Sequence, residues 1–147
     1  MLLLKERYFM NSFFLGAFVF IALISFAEAR VLLEINMSHK IIVDNDLQLV
    51  NELHVLEDLV MKKQINLKMK NGIKAQIQMQ LVQDAAVFGP SAIAMVTGKI
   101  MDPKDVVLKD FTEVPLYVPL KESRIVTYKE PKGGQIIEIV VTSSPEQ

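Results

Sequence analysis

The sequence predicts a mainly β protein: a small antiparallel β-sandwich, or a partly open barrel, after an N-terminal signal-peptide helix. Three observations carry this. Beyond Arg30, apolar and polar residues alternate with a period of two, which gives a strand one buried and one solvated face. Turn residues interrupt the alternation about every ten positions, the rhythm of a sandwich or small barrel. Before Arg30 the chain has the layout of an export signal.

In that leader, Lys5 and Arg7 precede an apolar run from Phe13 to Ala27, broken only by Ser25. Ala27-Glu28-Ala29 supplies the small-x-small pattern that signal peptidase reads. The run is shorter than the 18 or more residues expected of a spanning helix. Cleavage is therefore expected after Ala29, giving residues 1–29 as signal, 30–142 as one domain and 143–147 as a flexible polar tail. The destination is the periplasm or the medium, with no stable membrane insertion once the leader is removed.

The leader also distorts the composition. It holds six of the eight Phe. Without it the chain keeps Phe88, Phe111, Tyr117 and Tyr128 and has no Trp, so stacking platforms for sugars or single-stranded nucleic acid are scarce. The leader takes Lys5, Glu6, Arg7 and Glu28 with it, so the net charge stays at −1. No basic face is implied, and nucleic acid is not an expected partner. There is no cysteine, so a single core must hold the fold without disulfides.

The clearest element is a hairpin from Lys63 to Val82. Ile65, Leu67 and Met69 alternate with Asn66, Lys68 and Lys70; beyond Asn71-Gly72, Ile73, Ala75, Ile77, Met79 and Leu81 alternate with Lys74, Gln76, Gln78 and Gln80. Cross-strand partners share a face. A two-residue loop would pair Lys70 with Ile73 and mix the faces. A three-residue loop, Lys70-Asn71-Gly72, pairs Met69 with Ile73, Leu67 with Ala75 and Ile65 with Ile77. This predicts a type I turn with Gly72 left-handed, forming a bulge.

In Val114-Pro115-Leu116-Tyr117-Val118-Pro119-Leu120 the even residues make an apolar face, and both prolines share the other parity. Both missing N–H groups then lie along one edge, as in a blunted edge strand. A second hairpin joins Ser123–Lys129 to Gln135–Thr142 through Pro131-Lys132-Gly133-Gly134. Ile93–Met101 reads as a strand with a bulge at Gly98, followed by a turn at Asp102-Pro103-Lys104-Asp105. Val31–Met37 and Lys40–Val43 read as strands separated by a turn at Ser38-His39-Lys40. Leu47–Lys62 fits a helical stripe and an alternating pattern; the surrounding β pattern favours short strands and turns.

No catalytic signature appears, and the chain is expected not to be an enzyme. Ser91, in Phe88-Gly89-Pro90-Ser91, lacks the Gly-x-Ser-x-Gly elbow and reads as part of a turn. Asp44-Asn45-Asp46 lacks the rest of a calcium loop and reads as a tight turn. Methionines are scattered rather than clustered for copper. The nearest approach to a metal site is His54, Glu57 and Asp58. On a helix His54 and Asp58 would share a face, but two ligands do not fix a zinc ion. No cofactor is expected.

What remains is a surface. Lys68, Lys70, Lys74, Gln76, Gln78, Gln80 and Tyr117 are the candidate contact residues, and the partner expected is another envelope or secreted protein, met through that face or by strand addition to a free edge. The alternatives are a small-ligand or metal-binding periplasmic domain and a small hydrolase built from dispersed carboxylates. The leader reading predicts that protein recovered from its own cells begins at Arg30, as N-terminal sequencing or intact mass measures. A chain that retains Met1 would contradict it.

Overall fold

The computed structural model describes residues 30–82 and 93–145. The leader, Phe88-Gly89-Pro90-Ser91 and the last two residues lie outside them. The described residues are mainly β, with no helix. Nine strands run in order: β1 (Val31–Val43), β2 (Asp46–Leu59), β3 (Lys62–Lys68), β4 (Lys74–Val82), β5 (Ile93–Met101), β6 (Val107–Asp110), β7 (Leu116–Pro119), β8 (Ser123–Lys129) and β9 (Gln135–Pro145). They form two antiparallel sheets. The first has the order β2-β1-β9-β8; the second is β3-β4-β5, with β6 and β7 both pairing along the far edge of β5.

One face of each sheet closes on a common core. Leu33, Ile35 and Met37 of β1 and Ile137, Ile139 and Val141 of β9 face Ala75, Ile77 and Met79 of β4 and Ala94, Val96 and Ile100 of β5. The alternation read from the sequence is the cause. Side chains two apart share a face, so each strand delivers its apolar set to one side.

The turns keep these faces in phase. Between β1 and β2, Asp44 (φ 52°) and Asn45 (φ 67°) make a two-residue left-handed turn, one short polar side chains tolerate. Between β3 and β4 the expected three-residue loop is present. Met69 N–H donates to the Ile73 carbonyl at 2.8 Å, Gly72 N–H donates to the Met69 carbonyl at 3.0 Å, and Gly72 has φ 91°. Leu67 then pairs with Ala75 and Ile65 with Ile77. The same pattern recurs between β5 and β6, where Asp102 N–H reaches Val106 at 2.9 Å, Asp105 N–H reaches Asp102 at 3.1 Å, and Asp105 takes the left-handed place with φ 65°. The Asp102 carboxylate accepts the N–H groups of Lys104 and Val106 at 2.8 and 2.9 Å, which fixes that loop.

Several sequence expectations need correction. Residues 46–59 form one long strand rather than short pieces, with a register shift opposite His39 and Lys40 that leaves Val50 unpaired. That extra residue reverses the parity. Leu53, Val55 and Leu59 therefore point inward, whereas Leu47 and Leu49 do not and are each 56% exposed. Ser38-His39-Lys40 is not a turn, because β1 runs straight through it and His39 continues the inward face of Met37. Gly98 is not a bulge: the β4–β5 register passes unbroken through Ile77–Gly98. Its small size serves close packing instead, since a Cβ there would lie 2.2 Å from the Gln76 carbonyl oxygen and 2.9 Å from Phe111 Cζ. Ser143–Pro145 belong to β9 rather than to a tail, with Ser143 buried opposite Leu33. In the proline-flanked segment Leu116 and Val118 turn inward on β7, but Val114 precedes the strand and is 77% exposed.

Two tethers align the sheets. At one end, Asn71 of the β3–β4 turn donates its amide N–H to His39 Nδ1 at 2.8 Å, and His39 Nε2 donates to Gln135 Oε1 at 2.9 Å. The Ile73 N–H on Asn71 Oδ1 at 3.2 Å fixes the amide orientation and so the imidazole tautomer. At the other end, Lys121 N–H reaches the Ser143 carbonyl at 2.6 Å, and Ser143 N–H reaches Glu122 at 3.0 Å, where the chain crosses from β7 to β8.

Gly98→Ala lowers the stability by about 1–3 kcal/mol, the usual cost of overpacking, measured as the urea unfolding midpoint. An unchanged midpoint would contradict the packing described.

Candidate functional site

The outer face of the second sheet gathers most of the candidate contact residues. The strand pairing lays them out in rows. Asn66 on β3 stands beside Gln76 on β4, Lys99 on β5 and Asp110 on β6. Gln64 stands beside Gln78 and Thr97. Lys62 stands beside Gln80, Met95 and Tyr117. Lys68 stands opposite Lys74. The face is thus a ladder of amides and ammonium groups across the sheet, all even-numbered on β3 and β4 because the odd side chains take the inward side, where those from Ile65 onward pack on the core. Lys70 is exposed in the adjoining turn.

Electrostatics along this face are local. Lys74 is joined to the Asp105 carboxylate, which offsets the repulsion from Lys68. Asp110 accepts the Thr112 hydroxyl at 2.6 Å and the Thr112 N–H at 3.0 Å, and the Lys99 ammonium lies 4.0 Å away. These donors, with the hydroxyl foremost, hold the Asp110 carboxyl below its usual value of 3.8. A carboxylate lowered in this way supports the fold above the ordinary carboxylate range, and its contribution fades as pH falls through the lowered value.

Two shallow hollows mark the face. One, of about 450 Å³, opens among Asn66, Lys68, Lys74, Gln76, Met101 and Asp105. The other, of about 270 Å³, opens among Gln64, Gln76, Gln78, Thr97, Lys99 and Thr112. Sequence reasoning found the β3–β4 part of this surface and missed Thr97, Lys99 and Thr112. Alternation continued through Gly98 places Thr97 and Lys99 outward; treating Gly98 as a bulge hid them.

The metal candidates do not come together. Four residues along a strand span about 13 Å, so His54 and Asp58 are separated, and Glu57 lies on the opposite face of β2. Each has its own partner: His54 Nε2 meets Glu34 at 2.9 Å, Asp58 lies 3.9 Å from Arg30, and Glu57 meets Lys63 at 2.5 Å. No group of three or more metal-ligating side chains occurs among the described residues. Tyr117, 40% exposed on β7, stands at the edge of the polar ladder.

Comparison with known proteins finds no matching family model, no similar curated protein and no similar solved structure.

Proposed function

We propose that the chain is an exported, non-enzymatic β-sandwich domain that acts by protein–protein interaction in the cell envelope, as an accessory subunit of a larger envelope or secretion assembly. The observation that carries this reading is the outer face of the second sheet. Its amide and ammonium groups run in register over neighbouring strands, a rigid array of donors and acceptors. A partner that presents carboxylate and backbone carbonyl oxygens matches that array without a deep pocket. The leader supports the location.

A metal-dependent role has less support, because the candidate ligands His54, Glu57 and Asp58 diverge on β2 and are held by other side chains.

Photo-crosslinking in native cells tests the reading. A photoreactive residue at Gln78 is expected to yield one discrete heteromeric adduct. The same group at Thr127, on the outer face of the first sheet, yields none. Adding Lys68→Glu and Lys74→Glu to the Gln78 variant removes the adduct. Equal labelling from both positions, or none from Gln78, would contradict the proposal.

A further inference from the structure

The four edges of the two sheets, one of them shared by β6 and β7, differ in how they are guarded. Natural sheets protect exposed edges with Lys, Pro or very short strands. Here β6 spans four residues, β7 carries Pro119 and follows Pro115, β8 carries Arg124 and Lys129, and β3 carries Lys62, Lys63 and Lys68. Strand β2 is an edge of 14 residues with neither Lys nor Pro, and its charged groups are Asp46, Glu52, Glu57 and Asp58.

Strands β2 and β3 form one flank of the molecule, joined by Val60 and Met61. Their directions follow from the tethers. Leu59 at the end of β2 lies opposite Val31, and Asn51 lies opposite His39. Asn71, just beyond β3, bonds His39. So β3 runs back along β2, and residues whose numbers add to about 120 share a height. The flank is open, since the inward side chains of Leu53, Val55 and Ile65 are only partly buried against the core. Glu57 and Lys63 already meet across it at 2.5 Å.

We propose that this flank joins two copies of the chain about a twofold axis parallel to the strands, β2 of each copy pairing antiparallel with β3 of the other. Such an axis exchanges the two sheets, so outer faces continue into outer faces and both edges are capped at once. At equal height Glu52 stands opposite the partner's Lys68, Asp58 opposite the partner's Lys62, and Glu57 opposite the partner's Lys63. Val55 and Leu53 meet the partner's Ile65 and Leu67, which closes the open end of both cores. Charge selects this arrangement. A twofold axis perpendicular to the sheets sets acidic β2 against acidic β2 and lysine-rich β3 against itself, and like charges directly opposite are unfavourable. The flank borders the polar face proposed above and shares Lys62 and Lys68 with it, but this inference rests on the edges and their charges and does not depend on that function.

Sedimentation velocity on the chain as the cell processes it tests the pairing. A concentration-dependent dimer is expected. The variants Glu52→Lys/Asp58→Lys and Lys62→Glu/Lys68→Glu each weaken it by at least about a hundredfold, and mixing the two variants restores it. Because the chain has no cysteine, the register is read directly: E52C and K68C mixed form a disulfide-linked dimer, and neither does so alone. A wild-type chain still monomeric at about 1 mM, dimers indifferent to the charge reversals, cross-linking by E52C alone, or a mixture that fails to cross-link would each overturn the proposal.

Discussion

With no disulfide available, the two sheets are held by the meeting of their apolar faces, and everything else depends on those faces staying in phase. A slip of one residue in any strand pairing exchanges its buried and solvated sets. On β4 it would bring Gln76, Gln78 and Gln80 into the core where Ala75, Ile77 and Met79 now sit. Burying such amides without partners costs kilocalories each. The left-handed positions at Gly72 and Asp105 are the local devices against this slip.

The same constraint produces the exterior. Once the odd residues of β3 and β4 are committed inward, the even ones are bound to form a face of Lys, Asn and Gln. Gly98 contributes by omission. Without a Cβ, β5 lies close to Gln76 and admits the Phe111 ring, and Phe111 N–H donates to the Gly98 carbonyl at 2.8 Å. That contact draws the chain after β6 against the sheet and places Thr112 beside Asp110. The bulge at Val50 acts the other way on β2. It keeps the core pattern at Leu53, Val55 and Leu59 but turns Leu47 and Leu49 out of the core, so the β1–β2 tip stays apolar and exposed.

What the sequence revealed was local. Parity alone determined the Lys70-Asn71-Gly72 loop and its register, because the apolar residues on both sides are odd-numbered. The hairpin from Ser123 was legible from its turn residues Pro131-Lys132-Gly133-Gly134, and the Lys/Gln half of the candidate surface from the parity of β3 and β4. The rest depends on contacts between distant parts of the chain. His39 looked like a turn residue because its burial rests on Asn71 and Gln135. Ser143 looked like tail because its pairing with Leu33 bridges nearly the whole domain. Leu47–Lys62 fitted two periods because a bulge interrupts the alternation, and the grouping of His54 with Asp58 made sense only on a helix.

Parity decides which side chains hold the sheets together and which remain free to make contacts. One charge placed at adjacent positions of β4, with stability read by urea unfolding, separates the two roles. Ile77→Lys buries an unpaired ammonium between the sheets and is expected to cost more than about 4 kcal/mol or abolish cooperative unfolding. Gln78→Lys adds the same group to a lysine-bearing outer face and is expected to stay within about 0.5 kcal/mol of wild type. Equal losses at the two positions, or a tolerated Ile77→Lys, would show that parity does not divide core from surface on β4.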